Sequence, residues 1–453
     1  MGFGLTNGLI PLSLYLGGVV ALLLSIFWRP IAGLYYLLPL IVLQTVRYRM
    51  NEYPYAQSVI TIILLGMILG FLRRRESPIG NSPWTRMLLI YGGYTLFSLF
   101  LGSLTIGVPL PLPGDPRFGV WLDYINMPIL LLLVAAIAPD RRHVKVMVLL
   151  MCFSALVLDY NYWSSVHGRD YSQYTNSVRE GAGMGYAGVN GMASFAAQFA
   201  GFIMALAAFQ SRWLIKLAYY ALAIFSVICL MYTFSRGAYL AFAVGLLFIG
   251  LAKSRMLLVI VLVLALFGTA LIPTAVQERV LMTYDKGSGD VDHSSELRFE
   301  IWEDALSLFA SANVLFGMGF NTYAYLHRVG TYEDTHNIFL KVLIETGIVG
   351  MFLFLWLLGK TFWTGWRVFR RSNDPLMASL GLGLAVWVLC ATVASCFGDR
   401  WMYFQVNGDM WVIAGLICRT ALLNGEEETA VEEREDETEL VETAPRLPGA
   451  CIA

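Results

Sequence analysis

The sequence predicts an all-α polytopic membrane protein with about 12–13 transmembrane helices and one large, partly helical loop outside the membrane. Three observations lead there. Of 453 residues, 57% are hydrophobic and only 14% charged, and the mean hydropathy is +0.63; a soluble domain carries roughly a quarter charged residues. Apolar runs long enough to cross a bilayer recur along most of the chain, and a segment in lipid must satisfy its own backbone polar groups, so the runs read as helices. Basic residues collect in alternate connections, as in a chain that threads back and forth through a membrane.

The runs lie at roughly 8–27, 31–46, 57–72, 86–104, 119–138, 144–160, 190–209, 213–233, 237–252, 256–273, 337–359, 377–397 and 402–421. The short runs at 31–46 and 402–421 could also be re-entrant. The first run lacks a basic leader and is followed at once by the second, so it reads as a retained span and not a cleaved signal. Arg73-Arg74-Arg75, Arg141-Arg142 with Lys145, Arg212 with Lys216, Lys253 with Arg255, and Lys360 with Arg367, Arg370 and Arg371 all fall on one side. The positive-inside rule makes that side cytoplasmic and sends the N-terminus outward.

The runs divide the chain. Residues 1–160 hold the first helices and 161–189 an outer loop. Residues 190–273 hold helices that include Ser235-Arg236-Gly237, 274–336 form the large outer loop, and 337–423 the last helices. Residues 424–453 form a disordered acidic cytoplasmic tail: ten acids and two arginines that cannot bury enough apolar area to fold. Taking these from the totals of 32 acids and 31 Lys/Arg leaves 22 acids and 29 bases in the body, as basic cytoplasmic loops require. In the large outer loop, Leu297, Ile301, Ala305 and Leu308 recur at helical spacing, which predicts a helix from Glu296 to Phe309 with Ser294 and Ser295 as caps.

Several function classes are excluded. Cys152, Cys229, Cys390, Cys396, Cys418 and Cys451 show neither CxxC nor Cys/His metal spacing, so no structural disulfide and no metal site is expected. The Gly-rich stretch 181–191 has no Gly-Lys-Ser/Thr, and no other nucleotide fingerprint appears. No cofactor and no nucleic-acid partner is expected.

What remains is a small set of polar residues at the outer rim. Arg236 sits between two apolar runs in Thr233-Phe234-Ser235-Arg236-Gly237. It reads either as a snorkelling anchor or as a phosphate ligand, for which its planar fork of donors is suited. His336, in Thr335-His336-Asn337, ends the large loop; it is either structural or a general base, since only His changes charge near neutral pH unperturbed. Glu345 is a carboxylate in an apolar run, marking either a functional site or a structural pair with another helix. Gly347 and Gly350 follow it and permit close helix contact. Arg179 and Asn190 frame the Gly-rich turn. Arg298, with Trp302, lies on the loop helix, where it is either an anion ligand or a partner of Glu296, Glu300 or Glu303.

The order of these elements resembles the O-antigen ligase/polymerase superfamily. The pieces are Phe234-Ser235-Arg236-Gly237-Ala238-Tyr239; Arg298-Phe299-Glu300-Ile301-Trp302 with Phe316-Gly317-Met318-Gly319-Phe320; His336-Asn337; and Glu345-Thr346-Gly347-Ile348-Val349-Gly350. Arg179 with Gly188-Val189-Asn190 is similar to the family's Arg and Gly-x-x-Asn turn, although Val189 stands where many members have Pro. The resemblance implies a bacterial inner-membrane glycosyltransferase with its site facing the periplasm. Its donor is a glycan on undecaprenyl diphosphate, with the diphosphate held by Arg179, Arg236 and Arg298. His336 is the catalytic base of a metal-independent, inverting transfer, supported by Asn190, Ser235, Gly237, Trp302, Asn337, Glu345, Gly347 and Gly350. The acceptor is lipid A-core for a ligase, a second lipid-linked glycan for a polymerase, or a protein hydroxyl for an oligosaccharyltransferase. A lipid-linked glycan transporter is the rival; it would place polar sites near the midplane and show related halves.

Overall fold

The structure is a computed structural model, and it describes residues 9–79, 82–137, 139–174, 178, 188–253, 255, 258, 274–281, 293–311, 313–326 and 334–418. These residues form an all-helical, multi-pass membrane protein. The helices are α1 (Leu9–Phe27), α2 (Ile31–Val42), α3 (Gln44–Tyr48), α4 (Val59–Arg73), α5 (Thr85–Thr105), α6 (Pro116–Ile137), α7 (Arg141–Val166), α8 (Gly188–Phe209), α9 (Trp213–Met231), α10 (Arg236–Ala252), α11 (Thr274–Leu281), α12 (His293–Ser311), α13 (Ile338–Arg371) and α14 (Pro375–Ser395). A last helix, α15, runs over Phe404–Cys418.

Among the described residues nine helices are long and apolar enough to cross a membrane, and α2, α10 and α15 are shorter apolar helices. Only the run at 256–273 has no described helix, because it lies outside the described residues apart from Leu258. The tail beyond 418 and the Gly-rich turn before Gly188 also lie outside them. The run at 31–46 is two helices, not one. α2 stops at Leu43, and Arg47 of α3 donates to the Leu40 carbonyl (3.4 Å), one of those left open by the helix end.

α8 and α14 form the centre and are almost wholly enclosed. Phe195, Phe199 and Phe202 of α8 close around Trp387 of α14. α1 and α9 lie outermost, with Leu16, Val20, Leu214 and Leu217 exposed where lipid would cover them. The clustered bases share one end of the bundle, where Arg141 pairs with Asp374 (2.9 Å) and Lys253 stands over Phe209.

α13 is the longest element, 34 residues, and it is broken at Gly347 (φ 68°, ψ −172°). A break in lipid would strand backbone groups, and here a neighbouring loop takes them up. The Ile344 and Glu345 carbonyls accept Met318 N–H (3.0 Å) and Gly319 N–H (2.8 Å), while Ile348 and Val349 donate to Val314 (3.0 Å) and Leu315 (3.2 Å). The Glu345 carboxylate accepts the N–H groups of Asn321 (2.8 Å) and Tyr323 (3.2 Å). The loop is tied on its far side by Phe320 N–H to Ser98 O (3.0 Å) and by buried Arg117, which donates to the Leu99, Pro109 and Phe320 carbonyls.

A side chain at Gly347 would take a conformation reserved for glycine and collide with the Leu315 carbonyl. Gly347→Ala is therefore expected to destabilise the purified protein by at least about 1–3 kcal/mol from backbone strain alone. Gly93→Ala, where an added carbon meets nothing within 4 Å, should leave the thermal transition in place.

Candidate functional site

At the end of the bundle opposite the clustered bases, one cavity of about 70 Å³ gathers residues from five elements. Asn190 and Ser194 come from α8, and Phe234 to Ala238 from the turn into α10. Arg279 comes from α11, Arg298 from α12, and Phe397 and Arg400 from the turn after α14. Four arginines thus line one small space, and among the described lining residues there is no carboxylate. A wall of guanidinium forks is matched to an anion with several oxygens.

Local sequence explains the shape. Phe234 has a left-handed backbone (φ 53°), a costly state for a bulky residue. Its ring is buried against Tyr171, Tyr174, Ala275 and Val276, which offsets the strain and fixes the turn. Ser235 follows at the N-cap of α10 and gives its hydroxyl to Asn190 Oδ1 (3.0 Å) instead of capping the helix. The positive end of the α10 dipole therefore faces the cavity beside Arg236. At Gly237 an added carbon would lie 2.8 Å from the Phe397 ring, so only glycine lets that wall close. Arg279 is held over the Tyr174 ring (4.8 Å) and is nearly buried.

His336 is not on this wall, but two chains of contacts connect it to the cavity. The first is α12, whose Ile301, Ala305 and Leu308 are buried against Met318, Tyr323 and Ile344. One turn beyond Arg298, Trp302 donates its indole N–H to the Thr335 carbonyl (3.0 Å), next to His336. The second chain is ionic. His336 Nδ1 lies 3.3 Å from Asp334, and the Asp334 carboxyl neighbours that of Asp399. Asp399 pairs with Lys341 (3.1 Å), accepts the Tyr403 hydroxyl (3.1 Å) and lies 3.7 Å from Arg400, which lines the cavity. Burial opposes ionisation of Asp334, but the bond from His336 and the charge of Lys341 outweigh it and hold this carboxyl below the usual range. Asp399, buried beside another carboxylate, is pushed up.

The histidine is itself constrained. Its backbone is left-handed (φ 52°), and its N–H is donated to Asp334 Oδ1 (2.9 Å). Asn337 caps α13 by accepting Phe339 N–H (3.0 Å) and Leu340 N–H (3.3 Å). The side chain is 27% exposed, so the ring can be reached. Of the five described non-glycine residues with positive φ, Phe234 and His336 belong to these two motifs, and strain of this kind concentrates at functional sites.

Of the residues singled out in the sequence, Arg236, Arg298, Asn190, Ser235 and Gly237 meet on the cavity wall. His336, Asn337 and Trp302 form the adjoining segment. Glu345 and Gly347 serve the loop that docks on α13, and Gly350 packs against Thr346 and Tyr94. Arg179 lies outside the described residues. The helix carrying Arg298 begins at His293, so Ser294 and Ser295 lie in its first turn and not at its cap.

Residues 221–355 match the family model described as O-antigen ligase. Over that stretch, about a third of its length, the chain is similar to the O-antigen ligase family. The matched stretch holds Arg236, Arg279, Arg298, Trp302, Asp334, His336 and Lys341. Asn190, Phe397, Asp399 and Arg400 lie outside it and complete the site from flanking helices. None of the curated proteins matches the chain.

Sequence reading missed Arg279, Arg400, Asp399 and Lys341. Lys341 had a signal, a charge in an apolar run, the same rule that singled out Glu345. Arg400 and Asp399 lie far along the chain in a short turn with no motif.

Removing one partner of a buried pair strands the other. Lys341→Met is therefore expected to cost about 3–5 kcal/mol. Adding Asp399→Asn should restore part of that loss, which a double-mutant cycle on urea unfolding in detergent would reveal as non-additivity.

Proposed function

We propose that the arginine cavity holds the diphosphate of a polyprenyl-linked glycan, and that the protein transfers this glycan to an acceptor hydroxyl with His336 as general base. The observation that supports this most is the meeting of Arg236, Arg279, Arg298 and Arg400 in one cavity coupled to His336 through Asp399 and Asp334. Arg179 joins the set as a further diphosphate ligand on the family resemblance.

In this reading Asp334 holds Nδ1–H of His336 and leaves Nε2 to take the proton of the acceptor hydroxyl. The freed oxygen attacks the anomeric carbon from the face opposite the diphosphate. A new glycosidic C–O bond forms as the C–O bond to phosphate breaks, and the configuration inverts. The electron pair stays on the departing polyprenyl diphosphate, whose growing charge the guanidinium groups and the α10 N-terminus stabilise in place. The basic end of the bundle faces the cytoplasm and the cavity faces the periplasm of a bacterial inner membrane, where undecaprenyl diphosphate is the carrier. We assign lipid A-core as the acceptor, as for a ligase. A second lipid-linked repeat would make the protein a polymerase, and a protein hydroxyl an oligosaccharyltransferase.

Transfer from defined lipid-linked donor, by purified enzyme in liposomes, tests the mechanism. His336→Ala is expected to lower turnover by roughly 10²–10⁴-fold. Arg236→Ala should also lose most activity, with Arg236→Lys intermediate because a point charge replaces the fork. Wild-type donor turnover by a correctly inserted Arg236→Ala protein would end the diphosphate assignment.

EDTA is expected to leave the rate unchanged. Loss of activity restored by Mg²⁺ would hand the diphosphate to a cation. Deletion of the gene separates the acceptors. Long glycan accumulating on undecaprenyl diphosphate marks a ligase, and single repeats on core mark a polymerase.

A further inference from the structure

A second and larger cavity, about 490 Å³, lies at the basic end of the bundle, away from the arginine site. It falls within the size range of small-molecule sites, roughly 300–1,000 Å³. Four helices enclose it: the first turns of α7, the end of α8, the start of α9 and the start of α14. α7 and α9 are joined at their other ends, where Tyr162 donates to the Tyr232 carbonyl (3.0 Å) and Ser226 to Asp159. At the basic end the cavity separates them.

Its lining is amphipathic. Arg141, Lys145 and Arg212 form the polar rim. Arg141 and Lys145 are one turn apart on α7, and Arg212 stands at the N-cap of α9. The rim's carboxylate neighbour is Asp374, paired with Arg141 at 2.9 Å. Inside, Val148 and Leu206 are buried, while Leu149 and Ile215 are exposed on the outer surface of the bundle. The space is therefore open sideways to lipid, with a cationic rim at headgroup level and an apolar interior at the level of the chains.

We propose that this cavity is a binding site for one anionic phospholipid of the leaflet at the basic end. The phosphate sits among Lys145, Arg212 and Arg141, and the upper acyl chain lies along Val148, Leu149, Leu206, Phe209 and Ile215. The lipid fills the gap between α7 and α9 that the protein's own side chains leave open. A neutral zwitterionic lipid would bring an ammonium group against three cations, so the site selects net negative heads. This assignment is independent of the glycan chemistry at the other end.

Native mass spectrometry on full-length protein tests it, with the protein released from nanodiscs of mixed phosphatidylglycerol and phosphatidylcholine. Wild type is expected to retain phosphatidylglycerol preferentially. The double variant Lys145→Gln, Arg212→Gln keeps the Arg141–Asp374 pair and should lower that preference roughly 30-fold, each basic residue at a headgroup being worth about fivefold. The charge-retaining pair Lys145→Arg, Arg212→Lys should keep it, which separates loss of the site from loss of the fold. Equal retention of the two lipids by wild type would overturn the proposal, as would an undiminished preference in the Gln variant. Displacement by soluble glycerol phosphate as effective as by phosphatidylglycerol would reduce the site to a free-phosphate site.

Discussion

The buried carboxylate of Asp399 organises the functional end of this protein. It lies in the short turn between α14 and α15, yet it meets Lys341 on α13, Arg400 on the cavity wall, the Tyr403 hydroxyl and Asp334 next to the histidine. Two unit charges at such distances attract strongly in a medium of low effective dielectric, but taking them out of water costs as much or more. Buried ion pairs replaced whole by apolar residues of similar volume often lose no stability, so the pairing is weak evidence of a stabilising role. What the ionic cluster supplies is geometry, because it positions Arg400 and His336 relative to each other through groups that cannot move singly without stranding a charge.

The same constraint, that no polar group goes unsatisfied away from water, explains the rest of that end. Breaking α13 at Gly347 exposes carbonyls and N–H groups, and the loop over residues 313–323 takes them up. That loop is in turn fixed by the Glu345 carboxylate and by Arg117. α12 packs on the resulting platform and carries Arg298 to the cavity and Trp302 to the histidine segment. Residues that look scattered along the chain are links in one rigid assembly. Such rigidity suits a site that stabilises developing charge, since donors already in place need no reorganisation.

Much of the architecture was legible from one sequence. Of the thirteen apolar runs, the twelve that fall among the described residues are helical there because lipid leaves a backbone segment no other regular solution, and the stripe Leu297, Ile301, Ala305, Leu308 marked the packed face of α12. Arg236, Arg298 and His336 stood out because charge or titration at a membrane rim is costly. Glu345 and Gly347 stood out too, but their contacts are with the docked loop. A carboxylate in an apolar run signals a partner without saying whether that partner is a ligand or a backbone.

The sequence by itself determined the solvent this protein lives in, its helices and the residue types available for chemistry, because these follow from local composition and periodicity. Only the tertiary structure decided which charges meet. Arg279, Arg298 and Arg400 come from three separate elements, and their convergence depends on how α11, α12 and the turn after α14 pack against α8 and α10. Packing of that kind is set by long-range contacts between helix faces, which hydropathy and spacing along one chain do not encode.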